Sequence, residues 1–263
     1  MSSVWLSKPV VVDGKDSEWQ GVMKPVEDKN FTLGMYNDDS YLYLSMVTGN
    51  RLLQMQILSL GLTVWLDPTG GKGRALGIRF PLGFGGEREI RGALAKRRAG
   101  IEEPDMEGRW AHIEPTLTAF EVVRNGDEDK QRLLRSQSED IEVDLSYQDQ
   151  TLTYELKVPL TQNEAHPIGI AVVDGKPVGL RLETPTIDRE SIVDRSREGG
   201  TETGGGIGGA GGRGGFGGRG GEGQGGFGAR RPENSGRPNF PKGLDYWVRV
   251  DLAQKSSSSS SSQ

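Results

Sequence analysis

Residues 61–71 read Gly-Leu-Thr-Val-Trp-Leu-Asp-Pro-Thr-Gly-Gly. Leu62, Val64 and Leu66 alternate with Thr63, Trp65 and Asp67. Successive side chains on a strand point to opposite faces, so the run predicts a strand with one wholly apolar face. It stops at Asp-Pro-Thr-Gly-Gly, where proline removes a ladder donor and glycine tolerates positive φ. A second run, 76–80, follows at hairpin distance. An apolar sheet face must be buried against another layer, so the pair predicts the middle of a β-sandwich.

Similar runs recur along the chain. Residues 4–12 read as an opening strand, with Pro9 suited to an edge. Residues 16–19 read as a turn or single helical turn carrying Trp19. Residues 31–36 and 41–47 flank the polar turn Asn37-Asp38-Asp39-Ser40 as a hairpin. Residues 141–145 and 152–160 make another, around 147–150. Residues 168–173 and 178–182 flank Asp174-Gly175, a hairpin turn signal. Runs at 117–123 and 246–252 complete about ten strands. Residues 51–60 differ, because they hold few β-branched residues and many helix formers; they predict a short helix ending at Gly61. Residues 85–108 are charged and helix-permissive, and read as a solvated helical excursion; a lid or partner arm is the competing reading. The expected fold is all-β: an antiparallel β-sandwich, jelly-roll or immunoglobulin-like, with one or two short helices and a long glycine-rich loop. Its body spans 1–198, an inserted disordered loop 199–239, a final strand 240–253, and a disordered serine-rich tail 254–263.

Composition narrows the function. The net charge is −5, so the whole molecule has no electrostatic case for nucleic acid or anionic membrane. Cysteine is absent, which excludes disulfides, thiolate metal sites and cysteine nucleophiles. No run approaches the roughly 18 apolar residues of a membrane span. The first residues lack a basic segment followed by an apolar one. A periplasmic or extracellular location is therefore expected if the chain is a trimmed mature form, and a cytoplasmic one if Met1 is the native start. The two histidines, His112 and His166, are far apart. HExxH, G-x-S-x-G and P-loop patterns are absent, so no catalytic set assembles.

Four pieces occur in a fixed order: Val11-Val12-Asp13-Gly14 with Asp16 and Trp19; Asn37-Asp38-Asp39-Ser40-Tyr41-Leu42-Tyr43-Leu44; Leu62-Thr63-Val64-Trp65-Leu66-Asp67; and Tyr154-Glu155-Leu156-Lys157-Val158-Pro159-Leu160. Together they resemble the family 9 carbohydrate-binding modules and the wider group of DOMON-like β-sandwiches. The resemblance implies a non-catalytic, often exported domain that binds a glycan or other small ligand, sometimes with structural calcium.

Sugar binding needs aromatic faces for stacking and carboxylates or amides for hydroxyls. Trp65, with Thr63 and Asp67 on the same strand face, could supply both, and Trp110 is a second candidate ring. The alternative for Trp65 is burial in a second layer of core. Asp13, Asp16 and Asp38 could offer hard oxygen ligands to calcium, or serve as ordinary turn residues. Arg213, Phe216 and Arg219 lie in an RGG-like stretch suited to phosphates and stacked bases. Eight basic and four acidic residues lie between Arg195 and Lys242, a local excess of +4. Three functions follow in order: glycan or small-ligand binding, an assembly role through the glycine-rich loop, and RNA binding through its arginines.

Overall fold

The computed structural model describes residues 1–86, 105–127, 129–186 and 242–255, with 89, 92, 96, 99 and 100. By contacts the chain divides into one unit of Met1–Thr186 with Lys242–Gln263 and another of Ile187–Pro241. The second unit lies outside the described residues, as do the loop expected at 199–239 and the tail from 256. The charged stretch expected as a helical excursion also lies largely outside them.

The first unit is a β-sandwich of two six-stranded sheets. One sheet runs β1 (Val4–Trp5), β3 (Phe31–Asn37), β4 (Tyr41–Thr48), β10 (Thr151–Pro159), β9 (Glu142–Gln148), with β2 (Lys24–Val26) also on β3. The other runs β12 (Asp245–Val250), β11 (Val178–Glu183), β5 (Thr63–Asp67), β6 (Leu76–Arg79), β7 (Ala119–Arg124), β8 (Asp129–Leu134). Pairing is antiparallel throughout except for β1 with β3. The inner faces follow the alternation: Leu33, Leu42, Leu44 and Leu156 meet Leu62, Val64, Leu66, Ile78 and Leu180 in one core.

Helix α1 (Arg51–Leu60) feeds β5 directly. Asn50 caps it by accepting from the Leu53 amide, and Gly61, at φ +88, ends it with its own amide on the Ile57 carbonyl. The helix is buried on most sides. Gln54 is satisfied by the Thr48 and Gln150 carbonyls, and Gln56 donates to the Lys242 carbonyl. A second helix, α2 (Met106–Ile113), turns Met106 and Trp110 inward.

Two expected strands are corrected. Only Val4–Trp5 of the first run pairs as a strand. Residues 168–173 form no strand, because Ala171 sits at φ +60 and breaks the pleat. Instead the Ile170 and Val172 amides reach the Pro159 and Leu160 carbonyls, and β11 pairs with β5 and β12. Among the described residues no helix is long and apolar enough to cross a membrane.

Candidate functional site

The outer face of β5 is where sequence places a stacking platform, and the structure covers it. Trp65 is 2% exposed. Its ring lies over Gly77, where a Cβ would come within 2.7 Å of the indole. Its Nε1–H donates to Glu183 Oε2 at 2.8 Å. The Arg74 guanidinium stands 5.3 Å from the ring centroid and donates to Glu183 Oε1 at 2.5 Å. Asp67 is also buried, and shapes the β5–β6 turn by accepting from the Thr69 amide and hydroxyl and the Gly73 amide. Burial alone would raise its carboxyl, but those donors prevail and hold it below the ordinary carboxylate range. The turn then lies across β11 and β12: Trp247 Nε1–H donates to the Gly71 carbonyl at 2.9 Å. Thr63 is buried on the same face. Trp110 packs inward near the Tyr147 ring, with centroids 6.4 Å apart. Thr63, Trp65, Asp67 and Trp110 therefore present no stacking surface, a correction to the expected site.

The Asp-Gly…Trp motif also has a structural role. Glu155, on the outer face of β10, is fully buried. Its Oε2 accepts from the Asp13 amide at 2.9 Å and the Gly14 amide at 2.7 Å, and its Oε1 from Trp19 Nε1–H at 2.5 Å. Gly14, at φ +76, lies so close to Ser146 that a Cβ would clash, and the Ser146 hydroxyl donates to its carbonyl. One carboxyl thus holds the strap of residues 6–23 over the outer face of the first sheet, where Trp19, Val22 and Tyr43 make a second small core. Burial pushes the Glu155 carboxyl up to about 7, even though the Gly14, Trp19 and Asp13 donors pull it down.

The three aspartates offered to calcium do not converge. Asp13 pairs with Lys15, whose hydrogen bond, outweighing burial, holds the carboxyl below its usual range. Asp38 accepts from the Ser40 and Tyr41 amides and the Tyr43 hydroxyl. The Asp16 carbonyl closes the turn to Trp19. Among the described residues no three His, Asp or Glu side chains gather as a metal site. The RGG-like residues Arg213, Phe216 and Arg219 lie outside the described residues. The histidines stay apart, His112 against the Gly108 carbonyl and His166 against Asp140.

What the fold does open is a cleft of about 320 Å3 at the Asn37–Tyr41 end of the first sheet. Trp5, half-buried, and the Asp174-Gly175 turn both line it. Asn37 fixes its floor. Its amide donates to the Asp38 and Ala253 carbonyls, and its oxygen accepts from the Ser3 hydroxyl and Ala253 amide. Asp39, Asp174 and Asp251 border the cleft from three separate segments, all exposed. Trp5 carries no signal in the sequence, because a single tryptophan in a short edge strand has no period. Asp174-Gly175 reads there only as a hairpin turn. A second cleft of about 280 Å3 lies at the opposite end of that sheet, beside Tyr147.

No family model matches the chain, and no curated protein matches it. The solved structures similar to it include two of a family 9 carbohydrate-binding module from Caldicellulosiruptor kristjanssonii. One is in complex with glucose and the other with cellotriose. Each aligns at 12% identity and a TM-score of 0.32 over 72% of this chain, covering 81% and 78% of theirs respectively.

Proposed function

We propose that this chain is a non-catalytic binding domain that takes a glycan in the Trp5 cleft, working at the cell envelope or outside the cell. The observation that carries the reading is a half-buried indole beside an open cleft bordered by uncommitted carboxylates. An indole face stacks on the apolar face of a sugar ring, and carboxylates accept from its hydroxyls. At about 320 Å3 the cleft stands at the lower end of small-molecule sites, which suits a short saccharide. The four ordered sequence motifs add to this, as does the absence of any HExxH, G-x-S-x-G or P-loop pattern. Stacking at one ring gives a weak site, with Kd on the order of 10 μM to 1 mM.

The test is a glycan array followed by tryptophan-fluorescence titration of the wild type, Trp5→Ala and Trp65→Ala. Trp5→Ala is expected to lose binding and keep the wild-type melting temperature, whereas Trp65→Ala keeps the ligand and melts lower. Binding untouched by Trp5→Ala would remove the cleft from consideration. The absence of any glycan ligand for the folded wild type would remove the function.

A further inference from the structure

The Trp5 cleft is uneven in its chemistry, and the unevenness points to a ligand class. Its floor is spent: both amide hydrogens of Asn37 and its oxygen are already engaged, and Asp38 accepts three internal hydrogen bonds. Asp39, Asp174 and Asp251 differ. They come from the β3–β4 turn, the turn before β11 and the end of β12. Among the described residues none of their carboxylates has a hydrogen-bond or ion-pair partner. Carboxylates are acceptors only, so what they lack is donors. Trp5 lines the same cleft, and an indole face attracts positive charge.

We infer that this cleft selects a saccharide carrying a protonated amine, of the glucosamine type, over a neutral sugar of the same size; this rests on the glycan reading of the cleft. A protonated amine brings three donors and a positive charge to an acceptor-rich rim, which a hydroxyl at the same position does not. N-acetylation removes the charge and leaves the nitrogen one donor in place of three. Two lysines, Lys176 and Lys255, also line the cleft, both exposed. Their long flexible stems let the ammonium groups swing into solvent, while an aspartate holds its charge close to its backbone.

The experiment is calorimetric titration of the full chain at about pH 6, where an ordinary amine is protonated. Four probes are used: a glucosamine tetramer, its N-acetylated counterpart, cellotetraose, and spermidine as a cation without a sugar ring. The glucosamine tetramer is expected to bind about tenfold or more tighter than cellotetraose. That advantage is expected to shrink as salt is raised from about 0.01 to 1 M, because exposed charges are screened. Asp174→Asn, an exposed change, is expected to reduce the advantage several-fold with melting unchanged, and Lys176→Ala to leave it intact or enlarge it. Equal binding of cellotetraose and the glucosamine tetramer overturns the amine inference and leaves the glycan reading standing. Binding of spermidine with no saccharide bound overturns both, as does binding of none of the four. An advantage that persists in Asp174→Asn and tracks Lys176 instead overturns the assignment to the aspartates.

Discussion

Glu155 is the buried carboxyl on which the Asp13–Trp19 strap closes. A buried carboxyl is costly unless its oxygens are satisfied, and here three donors from the strap meet it. Glu155→Ala would leave all three without an acceptor, and is expected to cost roughly 3–5 kcal/mol in chemical denaturation. The proton balance gives a second prediction. Burial raises the folded carboxyl from 4.5 to about 7, so between those values the native state binds more protons than the unfolded chain. Stability from this group is therefore full below about pH 4.5 and falls as pH rises to about 7, by on the order of 3 kcal/mol. Melting curves of wild type and Glu155→Gln, taken across that window, are expected to diverge by this slope. Parallel curves would show that Glu155 ionises in the fold as it does in water. Trp65 gives a third test at this scale. With its ring covered and its Nε1–H spent on Glu183, Trp65→Ala is expected to cost about 3–5 kcal/mol.

Among the elements, the β5–β6 turn shows how a strand face that alternates cleanly can still be dry on both sides. Leu62, Val64 and Leu66 reveal the inner face because the period of two is set by the pleat. For the outer face the sequence leaves both display and burial of Trp65 open, because the polarity of Thr63 and Asp67 does not record what folds back over them. The cover is a turn with glycines at 70, 71 and 73, whose own backbone packs on β11. Gly179 marks the closest approach, since a Cβ there would stand 2.0 Å from the Gly71 carbonyl oxygen. Gly179→Ala is expected to lift the turn, lowering the melting temperature and quickening hydrogen exchange at Gly73; unchanged exchange there would mean that the sheet yields instead. Hairpins β3–β4 and β9–β10 and helix α1 were legible because turn chemistry and apolar period agreed. Strand β8 was not, since Asp129–Leu134 is mostly exposed and charged, and its strand character comes from pairing with β7. The candidate site was legible only as a type of chemistry. A single strand can show an aromatic beside carboxylates in its sequence, whereas the fold brings Trp5, Asp39, Asp174 and Asp251 to one cleft from four places in the chain.

For the whole molecule, the glycine-rich segment is inserted within a hairpin. Strands β11 and β12 pair in continuous register from Val178 with Val250 to Glu183 with Asp245. The pairing extends one step further: the Thr184 amide donates to the Leu244 carbonyl, and the Leu244 amide to the Thr184 hydroxyl. Thr184 and Leu244, which flank that segment in sequence, are thus hydrogen-bonded neighbours. Replacing residues 187–241 with a short Gly-Ser linker is expected to keep cooperative unfolding and leave stability level or slightly higher, because closure entropy changes only logarithmically with length. Loss of the cooperative transition would show that the segment belongs to the core. If the shortened chain also retains the glycan, the arginine-rich residues serve something other than the cleft. Residues 1–3 lie at the other end of that same hairpin. Ser2 bridges Asp251, and the Met1 ammonium donates to the Arg249 carbonyl. The two ends of the described chain are therefore close enough to be spliced. A circular permutant with new termini opened between 187 and 241 and a short linker from 255 to 1 is expected to fold with a cooperative transition. Every strand pairing would survive, and β12 would become the strand that leads the chain.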